Sequence, residues 1–307
     1  MPNHCTRRDT LVGYQSPRVS IGLPLFNGQN YLATALDSLL AQTYQDFELI
    51  ISDNGSTDKS KEICETYAEQ DPRIRYYRSQ ENRGATWNYN YVFQLAQGEY
   101  FKWAAHDDLC APEYLARCVE VLDRQPEVVL CFPKTVIIDE DGYPVEEYPN
   151  RLNLRSPQPH RRLQAFLRGP GLCNPVFGLM RIKALATTSL IESYVDSDRI
   201  LLAQLALRGQ FYEVPEPLFF RRLHPQTSVN ANLEYGKRVA WFDPAKRRRS
   251  IYLPRWRRVI EYIVSIHRAP LTPSERALCY IHLGRRYLLH PGWIVQDFQV
   301  AVQQFLH

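Results

Sequence analysis

Gly98 to Asp108 reads GEYFKWAAHDD, and the fold is decided by how this stretch is read. After the turn residue Gly98, the run Tyr100, Phe101, Trp103, Ala104, Ala105 is rich in strand formers and long enough for a buried strand. It stops abruptly on His106, Asp107 and Asp108. Two adjacent carboxylates at the end of a buried strand repel each other and resist leaving water. A divalent cation between them and a ligand removes both objections, and an oxygen-rich site of this kind suits Mg²⁺ or Mn²⁺. On these residues alone a plainer role stays open, in which Asp107 or Asp108 caps the helix that Pro112 begins.

Working outward, the same alternation repeats. Arg18 to Leu25 reads as a first buried strand with Pro24 at its end, since a proline inside a central strand breaks the ladder. Tyr31, Leu32, Ala35, Leu36, Leu39 and Leu40 recur at helical spacing and predict a helix over 30–41. Strands follow at Phe47 to Ser52, Ile74 to Arg78 and Val128 to Phe132, with helices around 58–69, 88–96 and 112–124 between them. Strand and helix joined by short connections predict a mostly parallel sheet flanked by helices. Ligands in such sheets bind at the carboxyl ends of the strands, where Asp53 and the Asp107–Asp108 pair both fall. Asp139 to Gly142 predicts a hairpin turn. Beyond it come a connection at 149–162, a helix near 161–168, a Gly-Pro-Gly loop at 169–171, and a strand near 176–181. A helix over 199–208 and two short strands, Phe211 to Val214 and Leu218 to Arg222, follow.

The chain has 307 residues, 45% of them hydrophobic and 23% charged, which is the composition of an ordinary globular protein. Its seven cysteines, an odd number at scattered positions, form neither a disulfide framework nor a zinc spacing, and predict reduced thiols in a cytosol. The N-terminus lacks an apolar signal core, and no run is long enough to span a membrane. The net charge of +4 hides an asymmetry: residues 1–150 carry 13 basic and 23 acidic residues, and residues 151–307 carry 24 and 10. An acidic half suited to a cation is joined to a basic half suited to phosphates or an anionic surface.

Asp53 to Asp58, DNGSTD, closes a strand and opens a helix. Asn54-Gly55 bends the chain and Ser56 or Thr57 caps the helix, which leaves Asp53 with no structural duty. Its carboxylate suits a base N–H or a ribose hydroxyl. Taken in order, Pro24-x-Phe26-Asn27, DNGSTD, Asn82-x-Gly84 and a strand ending in His106-Asp107-Asp108 resemble family 2 of the inverting nucleotide-sugar glycosyltransferases, with the GT-A fold, over roughly 18–225. The resemblance implies that Pro24, Phe26, Asn27 and Asp53 line the nucleotide pocket, and that Asp107 sits near the ribose. It implies that Asp108 coordinates a Mn²⁺ or Mg²⁺ ion bridging the donor phosphates. Arg83 adds to phosphate stabilisation by a looser match, and His106 stands where the family more often has an aspartate.

The resemblance also implies a general base. Asp198 stands before a helix ending at Gly209, at the family's spacing, with Asp196 the competing candidate; a plain N-cap is the structural alternative for Asp198. His224, after Arg221 and Arg222, matches a family histidine that helps bind metal or diphosphate, against the plainer reading of a structural histidine. The adjacent arginines suit phosphate geometry. Toward the C-terminus, Lys246-Arg247-Arg248-Arg249 and Arg255-Trp256-Arg257-Arg258 precede an apolar run, Val259 to Ile266. No nucleic-acid motif accompanies them. Interleaved aromatics, Tyr252, Trp256, Tyr262 and Trp293, suit peripheral contact with an anionic membrane face, and a solvated appendage or contact between copies is an equal alternative.

The sequence thus predicts a loose arm at 1–17 and a catalytic unit at 18–235, divided into a nucleotide half (18–148) and an acceptor half (149–235). A basic helical region, 236–307, completes it. The expected partners are a nucleoside-diphosphate sugar, often UDP-linked in such enzymes, and an acceptor hydroxyl on a glycan, lipid carrier or protein. The expected place is the cytoplasm, with peripheral contact at the inner face of the membrane. Two rivals remain: a sugar-nucleotide nucleotidyltransferase, which the glycine-poor Pro24–Gly28 loop disfavours, and a catalytically silent carbohydrate-binding protein of the same fold, which the retained acids disfavour.

Overall fold

The computed structural model describes residues 16–149, 152–169, 171–225, 227, 235–244, 253–288, 292, 297 and 302. Most of the expected N-terminal arm, Lys246 to Arg249, Tyr252 and Trp293 lie outside the described residues. In chain order the elements begin with β1 (Val19–Leu25), α1 (Leu32–Leu40), β2 (Phe47–Asp53), α2 (Ser60–Gln70), β3 (Ile74–Arg78), α3 (Ala85–Gln94) and β4 (Tyr100–Trp103). They continue with β5 (Leu109–Cys110), α4 (Tyr114–Arg124), β6 (Val128–Ile138), β7 (Pro144–Tyr148) and α5 (Pro159–Leu167). Then follow β8 (Leu179–Arg181), α6 (Ile182–Leu185), α7 (Ser197–Arg208), β9 (Gln210–Arg222), α8 (Tyr235–Phe242), α9 (Pro254–Arg268) and α10 (Pro273–Leu288).

One sheet runs through the protein in the order β3-β2-β1-β4-β8-β6-β9-β5, with β7 paired to β6. Its first four strands are parallel. Beyond β4 it is mixed: β8 runs antiparallel to both β4 and β6, whereas β6 and β9 are parallel. Period-two alternation sorts the strand side chains into two cores. Leu49, Ile51 and Tyr100 join α1, α2 and α4 in one. Ile50, Phe101 and Trp103 join α3, α5 and α7 in the other. Tyr262 and Ile266 of α9 and Cys279 and Leu283 of α10 are buried in that second core, so the C-terminal helices pack into it through α7 and α5.

Two expected strands are longer than their sequence signal. β6 continues past Phe132 through Pro133 to Ile138, and β9 joins the two expected short strands across Pro215 and Pro217. The pairing between them slips at Pro133–Thr135, opposite Val214–Phe219. Prolines remove ladder donors, and the irregularity absorbs the loss without ending either strand.

Candidate active site

Strand β4 leaves the ladder after Trp103, and the chain turns through Ala104 to Asp108 before β5 pairs with the end of β9. The acid pair therefore lies in a turn between two strands. It does not cap α4, which starts at Tyr114 only after β5 has intervened. Because β5 is hydrogen-bonded to β9, the chain after β9 is brought against the pair. The Arg222 N–H donates to Asp108 Oδ1 at 3.0 Å, and His224 Nε2 lies 3.0 Å from Asp107 Oδ2. A carboxylate can only accept, so Nε2 carries the proton in this contact.

The two neighbouring acids are set apart electrostatically. Burial resists ionisation of Asp107, but the hydrogen bond from His224 and the positive charge of His106 and His224 outweigh it and hold the carboxyl below its ordinary range. Burial, and then the charge of Asp107, push Asp108 up to about 7. Both line a cleft of about 570 Å³, a volume suited to a small-molecule ligand. Pro24, Phe26 and Asn27 line it too, as do Arg221, His224 and Trp241 of α8.

Arg221 and Arg222 separate in role. Arg222 is buried, and its guanidinium donates to the carbonyls of Asp107 (3.0 Å), Asp139 (3.1 Å) and Glu140 (2.8 Å). It ties the acid turn to the β6–β7 hairpin, so Arg222 has a structural duty beside its place in the cleft lining, which it shares with Arg221. Arg221 donates to the Leu172 carbonyl at 3.0 Å, and its charge reaches both Asp108 and Asp198.

Asp53 does have a structural duty, contrary to expectation. Its carboxylate is fully buried, accepting from the Ser56 N–H (2.8 Å), the Tyr76 hydroxyl (3.0 Å) and Arg78 Nε (3.0 Å). It is not among the cleft-lining residues, whereas its neighbour Asn54 is. Asp53 shapes the turn; Asn27 Oδ1 then accepts from the Thr57 N–H at 2.8 Å, joining that turn to the Pro24–Gly28 loop. The N-cap position of α2 is Lys59, with no side-chain cap, so neither Ser56 nor Thr57 caps the helix; Asp58 Oδ1 accepts from the Ser60 N–H at 3.0 Å just before it. Arg83 is also displaced from its expected place: its guanidinium lies 4.1 Å from the Trp87 ring centroid, a cation–π contact outside the cleft lining.

Asp196 and Asp198, neither of them among the cleft-lining residues, differ in their partners. Asp196 precedes α7 in a left-handed conformation, makes no capping bond, and its carboxylate is paired with Arg258 of α9. Asp198, in the first turn, accepts from the Arg199 N–H at 2.8 Å, and burial, followed by the charge of Asp196, raises its carboxyl above the ordinary range.

Sequence reasoning missed two residues. Lys102 is buried within β4, its ammonium donating to the Trp103 carbonyl at 3.2 Å and lying 4.7 Å from the Tyr114 ring centroid, with its charge favouring ionised Asp108. A lysine inside an otherwise apolar strand was the available signal. Tyr89 of α3 lines the cleft, and its phenol is pushed up by burial and by the charges of Asp107, Asp108 and Asp198, so it stands in the field of all three acids.

Among the described residues no three His, Cys, Asp or Glu side chains are grouped as a complete metal cage. The chemistry nonetheless fits a divalent ion: two neighbouring carboxylates on a cleft are hard oxygen donors, and a cation would offset both the burial and the Asp107 charge that raise the Asp108 carboxyl. His224 Nε2 is already directed to Asp107, so the expected metal ligand acts in this structure as the partner of that acid.

Known proteins agree with this architecture. TarS from S. aureus, solved as residues 1–349 with UDP-GlcNAc, aligns with a TM-score of 0.64 over 88% of this chain and 72% of its own, at 16% identity. The mannosyltransferase PcManGT from Pyrobaculum calidifontis, solved with GDP-Man and Mn²⁺, aligns with a TM-score of 0.55 over 93% and 74%, also at 16% identity. These likenesses establish the GT-A fold. An uncharacterized glycosyltransferase of Rickettsia typhi is 40% identical over 119 residues, 38% of this chain and 36% of its own length. Glycosyltransferase GlyG of Streptococcus pneumoniae is 33% identical over 116 residues, 38% of each. The chain thus spans little more than a third of these two relatives. The family profile itself matches residues 20–186, more than half of the protein and the segment that holds the acid pair, and on that match the chain belongs to Glycosyl transferase family 2.

Proposed function

We propose that the protein is an inverting, metal-dependent glycosyltransferase. It takes a sugar from a nucleoside diphosphate, UDP being the first candidate, and passes it to a hydroxyl of a glycan, lipid carrier or protein. The single observation that carries this reading is the convergence of Asp107, Asp108, His224 and Arg221 on the cleft that Pro24, Phe26 and Asn27 also line. The nucleotide lies against Pro24, Phe26 and Asn27, beside the turn that Asp53 shapes. Asp107, held by His224, faces the ribose. Asp108 is the ligand for Mn²⁺ or Mg²⁺, which when bound neutralises charge on the donor diphosphate. Arg221 supplies a fixed positive charge for the same leaving group.

Asp198 is the base. Its carboxyl, raised by burial and then by the charge of Asp196, is a stronger proton acceptor than an ordinary aspartate. It takes the proton of the acceptor hydroxyl as that oxygen bonds to the anomeric carbon. The bond from this carbon to the diphosphate oxygen breaks on the opposite face, which inverts the centre. On this reading the protein is cytoplasmic, with its six described cysteines buried and reduced, and its basic C-terminal helices reach a membrane face or a second copy.

The test is release of nucleoside diphosphate from a panel of nucleotide sugars with Mn²⁺ or Mg²⁺, repeated with chelator. Release that chelation abolishes is expected. Failure of every donor to react or bind would leave the silent carbohydrate-binding reading in its place.

A further inference from the structure

Helix α9 divides its residues between two faces. Tyr262, Ser265 and Ile266 are buried, and Arg258 turns inward to the Asp196 carboxylate. Leu253, just before the helix, and Trp256, Ile260 and Ile263 on it are instead 40%, 44%, 50% and 44% exposed. Steps of three and four residues set them in one stripe along the helix. A single exposed apolar side chain is ordinary, but a contiguous row marks a contact surface. The start of the helix is pinned. The buried Asp297 carboxylate accepts from the backbone N–H groups of Arg255 (3.1 Å) and Trp256 (2.9 Å).

Charge identifies the occupant. Residues 246–268 contain eight Lys or Arg and one acid, Glu261, which is buried. Arg257, with a side chain 54% exposed and paired to Glu261 at 2.7 Å, flanks the stripe, and His267 and Arg268 are exposed at its end. A two-fold contact of α9 with its own copy would set these cations against each other. An anionic lipid surface accepts both features, taking apolar side chains at the acyl boundary and cations against headgroups. No helix among the described residues is long and apolar enough to cross a membrane, so this contact lies along the surface. We propose that α9 docks the protein on an anionic lipid surface through Leu253, Trp256, Ile260 and Ile263, with the neighbouring basic residues holding it there. No cleft residue takes part, so this inference stands or falls apart from the transfer chemistry.

The experiment is flotation of the full chain with phosphatidylcholine vesicles, with and without phosphatidylglycerol, at low and high salt. The Ile260→Ser/Ile263→Ser double variant runs alongside, with its circular dichroism and sedimentation recorded. The wild type should float with the anionic vesicles only, and high salt should weaken it. The double variant, still folded, should bind at least about tenfold more weakly. A Trp256 emission that shifts to the blue on vesicle addition, and does not in Trp256→Phe, places that residue at the interface. Equal flotation of wild type and double variant would overturn the proposal. So would self-association without lipid that the double variant abolishes, since the stripe would then belong to a second copy.

Discussion

His224 Nε2 lies 3.0 Å from Asp107 Oδ2, across 117 positions of sequence. The contact exists because β5, two residues long, pairs with the end of β9 and so brings the chain after β9 to the acid turn. Replacing His224 by Ala would leave a buried carboxylate without this donor. A hydrogen bond to a charged group contributes about 1.5–3 kcal/mol, so urea denaturation should show a loss of that order. Nucleoside diphosphate affinity, read by calorimetry, should fall by roughly tenfold or more. Wild-type values in both measurements would remove the role given to this pair.

The Asp108 carboxyl, pushed up to about 7, predicts a pH dependence of opposite sign to that of a salt-bridged acid. The folded state holds its proton more tightly than the unfolded chain, whose carboxyl has the ordinary value of 3.8. Asp108 therefore weakens the metal-free fold above pH 7, and this penalty is relieved as pH falls from about 7 toward 4. Asp107, held low, works the other way and loses its contribution as pH falls through its folded value. In chelator, wild type minus Asp108→Asn should show a stability difference that moves in favour of the wild type on acidification across that window. A flat difference would mean that Asp108 ionises normally.

Asp198 and Asp196 should separate by phenotype. Asp198→Asn should lower transfer by about 10²- to 10⁴-fold with donor affinity unchanged, as removal of a general base does. Asp196→Asn breaks the pair with Arg258, whose side chain is 23% exposed, and should lower the melting temperature while sparing transfer per folded molecule. The reverse pattern would move the base by two residues.

Asp53→Asn should act on stability first. It removes a buried carboxylate that three donors share, leaving Arg78 and Tyr76 without their acceptor. Arg78 keeps substantial contact with water, so the loss should be about 1–3 kcal/mol and not the larger value of a sealed ion pair. A variant of unchanged stability that no longer binds nucleotide would restore Asp53 as a direct base contact.

Much of the parallel half was legible because its strands are apolar runs closed by turn residues, and the acid pair because it ends one of those runs in series with the other turn motifs, although a local cap explained it equally well. Asp53 misled because its partners Tyr76 and Arg78 sit on the next strand, two residues apart and so on one face, a relation visible only once β2 and β3 are paired in register. Pro133, Pro215 and Pro217 broke the sequence signal of β6 and β9 without breaking the strands. Lys102 was passed over because an apolar strand was expected to be apolar throughout. The place of Trp241 in the cleft had no local signature, since it arises from α8 packing on α3.

Gly84 shows how close that packing is: a Cβ there would stand 2.6 Å from the Phe242 carbonyl oxygen. Part of the wall around the ligand space is thus lent by chain that comes long after residue 186, where the family match ends. Grafting residues 20–186 onto another scaffold would carry Asp107 and Asp108 along, yet leave Arg221, His224 and Trp241 behind. The stretch that declares the ancestry is an open half-shell, and chimeras of this protein need their seams placed after α8.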